Sequence, residues 1–527
     1  MRKNYKILKN PVREAREKPG FGFLLGRKRY KENQIWGRVD STFCKNQIYF
    51  LSHHSTLLIV FLVSTLFAVV GIIYSKKHQG LESYLTANRN IGVTSLTTSL
   101  VASALGAWIL FGPASAATWG GIGSVIGYSL GTASPMIALI FLGPKLRKLF
   151  PKGKTLTEFV QNKFGKNLFK LILALMIFYM FIFLCAEVTA ISMLINYISG
   201  TSLWITALLV IVATLAYTLY GGLRASILTD NFQFFIVLIF LLICAFYIFS
   251  YNSSEISLDL IKNNSNHLIS SEYLPNYTAG LTFFIAVAAT NLFHQGNWQR
   301  VFAAKNEKIL KQSLLISFLI IIPIVFFMGV SGLIAISLDS KINPDLAFFS
   351  ILLKENIPLL SVLIIIMALS LTISTVDTLV NAISSLVVVE GKYFFVDYRN
   401  KNFLKLSKIF LVILSIISFI IASKGFSILY LFLLADLFCC AAVFTVFSGF
   451  YKKKVKETNA FVSILIGLLL GLLLFPSPDF SQSILVGNFL SRDLFPQIIT
   501  NYLLFWSFLL ATLSPVIVII SYDSFKR

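Results

Sequence analysis

Tyr220-Gly-Gly-Leu-Arg-Ala-Ser-Ile-Leu-Thr-Asp-Asn-Phe-Gln233 sits at the junction of two hydrophobic stretches, 202–220 and 230–250, each long enough to cross a bilayer. The Gly221-Gly222 pair lets two helices turn sharply and approach closely. Arg224 reads as a cytosolic anchor, and Thr229, Asp230 and Gln233 read as an N-cap-like, polar first turn of the next helix. A polar loop capping an ordinary helix accounts for Asp230 alone. It does not account for the whole ordered string.

Composition sets the class around this segment. The 527 residues are 56% hydrophobic and only 13% charged, with 49 Phe. A soluble chain of this size cannot cover its surface with so few charges, so lipid must be its main solvent. About thirteen stretches are long enough to span a membrane. They run near 55–74, 95–119, 121–143, 168–198, 202–220, 230–250, 279–296, 312–338, 357–386, 403–423, 426–450, 457–475 and 500–520. The seventh is the weakest, because Asn291, His294, Gln295 and Asn297 fall at its end. In a transporter such a helix lines a cavity.

The net charge of +22 is not a nucleic-acid patch. Lys145, Arg147, Lys148, Lys152 and Lys154, then Arg224, then Arg300, Lys305 and Lys308, then Lys452, Lys453, Lys454 and Lys456 gather in alternate connections. The intervening connections are nearly charge-free or acidic, as with Glu255, Asp259 and Glu272. That alternation predicts the basic loops and the C-terminus inside and the start of the first span outside. Residues 1–50 break the pattern: they are strongly basic, yet placed outside. A mis-assigned start or inserted peptide, a tolerated translocated tail, and a wrong first span all compete to explain this. The tail is expected to be disordered, and 51–527 to form the transmembrane domain. The five cysteines show no ligand or disulfide spacing.

Two spans carry unusual chemistry. In 101–116, Gly106, Gly112 and Pro113 are poor residues for an uninterrupted helix. A break in hydrocarbon is tolerable only where freed backbone groups face protein, water or a ligand. Mid-membrane carbonyls of this kind coordinate Na⁺ in transporters built from inverted repeats, although a Gly/Ala face for tight packing explains the same letters. In 368–385, seven hydroxyls, an Asp and an Asn crowd one helix. Burying them without partners would cost several kcal/mol, and paired hydroxyls with carbonyls suit a hard cation.

The 220–233 string closely resembles the signature of the sodium:solute symporter family. The 101–116 break, the Ser374-Thr375 pair and Asn297-Trp-Gln-Arg-Val-Phe-Ala-Ala-Lys-Asn306 also resemble that family, in order, across about 95–390. The resemblance implies an all-α polytopic fold with about thirteen transmembrane helices and a core of two inverted five-helix repeats, near 92–250 and 277–450. It implies a Na⁺ site made by the Ser374 and Thr375 hydroxyls and the carbonyls of Leu371, Ala102 and Leu105, with Asp230 and Asp377 along the ion path. The Gln299-Arg300 segment would tether a mobile helix to the cytosolic face. No intramembrane Lys or Arg is expected to pair with Glu187, Asp377 or Asp436.

The expected function is secondary transport, in which inward Na⁺ movement drives uptake of a small organic solute by alternating access, with Na⁺ as coupling ion and no organic cofactor. Ser103, Gly106, Trp108, Phe111 and Asn291 are the candidate solute residues. An apolar, aromatic pocket with free helix-end amides favours a small amino acid such as proline, or a carboxylate, over a sugar. Proton coupling and a non-transporting membrane sensor remain open. The chain ends soon after its last span, so no kinase is expected to follow. The scattered His speak against an enzyme. No nucleic-acid or obligate protein partner is inferred besides the bilayer, and the expected location is a bacterial inner membrane.

Overall fold

The computed structural model describes residues 49–77, 80–251, 258–393, 402–451, 455–478, 480, 482–489 and 496–524. Nearly all of the basic tail, with Cys44, therefore lies outside the described residues. Among those described, no extended strand forms, and ten helices are long and apolar enough to cross a membrane. The protein is an all-helical, multi-pass membrane protein.

The first helix, α1 (His53–Lys77), is followed by the short α2 (Leu81–Thr86), and α3 (Val93–Ala104) stops abruptly. A 3₁₀ turn over Ala107–Leu110 leads into α4 (Gly112–Leu149), which carries Pro113 in its first turn, where a missing N–H costs nothing. The 95–119 and 121–143 stretches thus join differently from the expectation: the second half of the broken span and the whole third span form one element, kinked at Gly121. The short α5 (Leu156–Phe164) precedes the long α6 (Lys166–Ser199). In α7 (Leu203–Phe246) the backbone leaves the helical region at Gly222, with φ 57° and ψ −155°. A side chain there would strain that conformation and collide with Tyr84. The Gly-Gly turn is where the sequence puts it. Asp230, however, lies about two helical turns beyond Gly222, fully buried, and not at a helix start.

After the short α8 (Leu258–Ser265), α9 (Leu274–Phe293) ends at His294, whose backbone is extended, and the separate α10 (Gln295–Ala303) begins. Gln295 and Asn297 belong to this second helix, so the seventh span starts earlier than 279, at Leu274, and ends before 296, at Phe293. It is also not among the ten apolar crossings. The remaining elements are α11 (Glu307–Leu338), the short α12 (Ala347–Leu352), α13 (Pro358–Glu390), α14 (Phe403–Ala422), α15 (Ile428–Ser448), α16 (Glu457–Leu474) and a closing helix, Leu503–Ser524. Four cysteines, Cys185, Cys244, Cys439 and Cys440, are free and buried.

Packing concentrates the polar spans. α13 is enclosed by α6 and α7, and α4 lies along both α9 and α11. The α4–α9 seam is set by glycine. A Cβ on Gly123 would sit 1.7 Å from the Asn276 carbonyl oxygen, and one on Gly127 2.0 Å from that of Gly280. In lipid, such backbone-to-backbone approach replaces the hydrophobic driving force available in water. Gly127→Ala should therefore force the helices apart and destabilise the fold by about 1–3 kcal/mol. Thermal denaturation in detergent would register this as a lower midpoint, and an unchanged midpoint would contradict the seam.

Candidate functional site

The end of α3 organises the site. Its last helical bond runs from Leu105 N–H to the Val101 carbonyl. The next amides are diverted: Ala107 N–H donates to Glu187 Oε2 at 2.9 Å, Trp108 N–H to Glu187 Oε1 at 3.4 Å, and Ile109 N–H to the Gly106 carbonyl. The carbonyls of Ser103, Ala104 and Leu105 are thereby released from the helical ladder. Glu187 projects from α6 and is fully buried. Its role as acceptor for the broken helix was not legible in the sequence. It also overturns the premise of the anion preference, because the helix-end amides are occupied.

Gly106 lies against α13 and α6. A Cβ there would stand 2.3 Å from Glu187 Oε1 and 2.8 Å from Thr375 Oγ1. Thr375 Oγ1 is buried and has no hydrogen-bond partner among the described residues, although a helical Thr ordinarily bonds the carbonyl four residues back. Ser374 Oγ instead donates to Asp230 Oδ1 at 2.6 Å. A hydroxyl that donates its proton to a carboxylate keeps its lone pairs for a cation.

Asp230 is the centre of a buried ion pair. Its Oδ2 accepts from Arg300 Nη2 at 2.7 Å and from Ser99 Oγ at 2.6 Å. Arg300 also donates from Nε to Ser99 Oγ, from Nη1 to the Gly296 carbonyl and from Nη2 to Thr378 Oγ1. Both side chains are completely buried. The ion pair forms at Asp230, which the sequence placed at a helix start, and not at Glu187, Asp377 or Asp436, for which no Lys or Arg partner was expected. Arg300, with Lys305 and Lys308, read as a loop charge, but α10 folds it inward. Asp377 lies alongside, accepting from the hydroxyls of Tyr217 (2.6 Å), Ser226 and Thr229 (3.2 Å). α10 is tied to the segment before α3 by Ile91 N–H to the Ala303 carbonyl and Lys305 N–H to the Ile91 carbonyl.

A small chamber opens beside the break. Ser103, Ala104 and Trp108 face it from the α3 side, with Tyr128 of α4 and Phe183 of α6. Thr290 and Asn291 of α9, His294, Thr375, and Phe432 and Asp436 of α15 close the other walls. It holds about 20 Å³, room for about one water, so a solute enters only as wall side chains turn. Trp108 stacks on Tyr128 at 5.6 Å, and Phe183 meets Phe432 edge-on at 4.7 Å. Of the candidate solute residues, Ser103, Trp108 and Asn291 line this chamber. Gly106 faces Glu187 and Thr375 instead, and Phe111 is buried against Phe349 with ring centroids 5.0 Å apart. Asp436 was noted as an intramembrane acid but not as a wall residue, because nothing in its neighbours' letters points to the break.

Arg300→Met would leave Asp230 buried without its counter-charge, and should destabilise the protein by about 3–5 kcal/mol. Asp230→Asn in the same chain should recover part of that loss. Additive losses in the thermal midpoints of the single and double variants would refute the pairing.

A family model for the sodium:solute symporter family matches residues 84–467. A spermidine transporter of Candida albicans is 28% identical over 403 residues, which cover 76% of this chain and 75% of that protein. A sodium/myo-inositol cotransporter of Bos taurus is 24% identical over 449 residues, 75% of this chain and 66% of that one. Among solved structures, a Na⁺-coupled sialic acid symporter superposes with a TM-score of 0.69 at 16% identity, covering 89% of this chain and 98% of that one. With more than half of its length matched by the family model, and with the broken α3 facing the hydroxyls of α13, this solute-transporting membrane protein belongs to the sodium:solute symporter family.

Proposed function

We propose that the protein is a Na⁺-coupled symporter that takes up a small organic solute by alternating access. The observation that carries this reading is Thr375 Oγ1, without a partner among the described residues and close to Gly106, where α3 breaks. A buried hydroxyl without a partner costs about 1–3 kcal/mol, and a hard cation that prefers oxygen ligands offsets that cost. The ligand set is Thr375 Oγ1, Ser374 Oγ and the carbonyls of Ala102, Leu105 and Leu371. Asp230, bonded to Ser374, supplies negative charge one residue away from the ion, and Asp377 lies farther along the same path. Family membership supports Na⁺ as the coupling ion.

The chamber beside Trp108 is the solute site in this reading. Thr375 faces both the chamber and the break, so an ion and a solute bound together would share a wall. That shared wall is the physical basis of coupling, since each ligand would pre-order a surface the other needs. The two core halves, near 92–250 and 277–450, would be the inverted repeats that rock around it. The sequence-based preference for a carboxylate is not carried forward, because its amide donors are engaged by Glu187. The relatives carry chemically unlike solutes and come from Candida albicans and Bos taurus, so likeness selects neither a solute nor a bacterial membrane.

The test is uptake by purified protein in proteoliposomes, with pooled amines, amino acids, carboxylates, polyols and urea, under an inward Na⁺ gradient, a proton gradient or none. Uptake of one pool with Na⁺ alone is the expected result. Uptake driven only by protons would reject Na⁺ coupling. Thr375→Ala and Ser374→Ala should each raise the half-saturating Na⁺ concentration about tenfold, and unchanged Na⁺ dependence in both would reject the ligand set.

A further inference from the structure

We propose that the solute taken by the chamber carries a protonated amine or quaternary ammonium, with the Asp436 carboxylate as its counter-ion. The inference rests on the chamber being the solute site. Asp436 is 3% exposed and lines the cavity. Among the described residues, its one hydrogen bond comes from Thr290, whose hydroxyl donates to Oδ1 at 2.7 Å. Among those residues no Lys or Arg pairs with it, and the buried guanidinium of the ion-pair network, Arg300, is committed to Asp230. A carboxylate in a low-dielectric site costs several kcal/mol unless a cation or further donors meet it. The described residues supply one hydroxyl. A cationic solute supplies the missing charge.

The walls agree with a cation and disfavour the alternatives. Trp108, Tyr128, Phe183 and Phe432 present aromatic rings to the cavity, and ring quadrupoles attract ammonium groups, most strongly where water is excluded. An anion would find no charged donor, and the nearest backbone amides, those of Ala107 and Trp108, already bond Glu187. A polyol would need several convergent polar side chains. Here Ser103 Oγ and Asn291 Nδ2 are each bonded to a carbonyl of their own helix, and His294 Nδ1 accepts from Gly296 N–H. The oxygen ligands proposed for Na⁺ lie on the α3 and α13 side, and Asp436 lies on α15, so the inorganic and organic cations have separate anchors.

The experiment measures thermal stabilisation and equilibrium binding of purified protein in detergent, without any gradient. The probes are putrescine, spermidine and choline, against myo-inositol, urea and acetate. At least one amine should bind, and Asp436→Asn, which preserves shape and can still accept from Thr290, should weaken it about tenfold to a hundredfold. Phe432→Leu should weaken the same amine while leaving the thermal midpoint of the ligand-free protein within reach of wild type, which separates lost binding from lost folding. Binding of only the neutral or anionic probes, binding of none of the six, or full amine affinity in Asp436→Asn would overturn the assignment. Amine binding without Na⁺-driven amine uptake in proteoliposomes would leave the Asp436 site standing and reject the symport reading instead.

Discussion

Where α3 stops at Ala104, amides and carbonyls leave the helical ladder in the buried interior of the fold, and the rest of the site follows from how they are matched. An unsatisfied backbone group in hydrocarbon costs several kcal/mol, so the break persists only because α6 delivers Glu187 to the freed amides. The carbonyls of Ser103, Ala104 and Leu105 lose the amides that would donate to them in a continuing helix. On α13, close to Gly106, Thr375 Oγ1 has no partner among the described residues. A Gly at 106 is what allows both neighbours to come this near. The chain thus satisfies the amides of Ala107 and Trp108 internally, and the proposed Na⁺ would match the acceptor half.

A second charge arrangement, the Asp230–Arg300 pair, joins four elements below that point. Through Ser99, Ser374, Thr378 and the Gly296 carbonyl it links α3, α7, α10 and α13. Such a network is worth little as net stability against an apolar replacement, but each member is costly to remove singly. Its position one hydrogen bond from Ser374 lets a change at the proposed ion site be felt by α10, which is tied to the segment leading into α3.

Much of this was legible in the letters because it depends on local chemistry. Gly106, Gly112 and Pro113 announce a broken helix, Gly221-Gly222 announces a turn, and the hydroxyls of 368–385 announce a polar helix in lipid. What was not legible depends on pairings across the fold. Arg300 and Asp230 are 70 residues apart, and hydropathy assigns an Arg near Lys305 and Lys308 to a loop. The break at His294 that turns Arg300 inward is a backbone event held by the ring's own bond to Gly296 N–H. The Gly123, Gly127 and Gly131 stripe was visible as letters, but its meaning required knowing that Gly280 and Phe283 of α9 lie opposite. The anion preference failed for the same reason: that the amides were free was assumed, and the acceptor came from another helix.

The central claim is that ion and solute occupy adjoining sites that share Thr375. Equilibrium binding of radiolabelled Na⁺ to the purified protein, repeated at increasing concentrations of the solute identified by uptake, tests it most directly. The account predicts that solute raises Na⁺ affinity and that Na⁺ raises solute affinity by the same factor, as linkage requires. Na⁺ binding that is indifferent to saturating solute would contradict it.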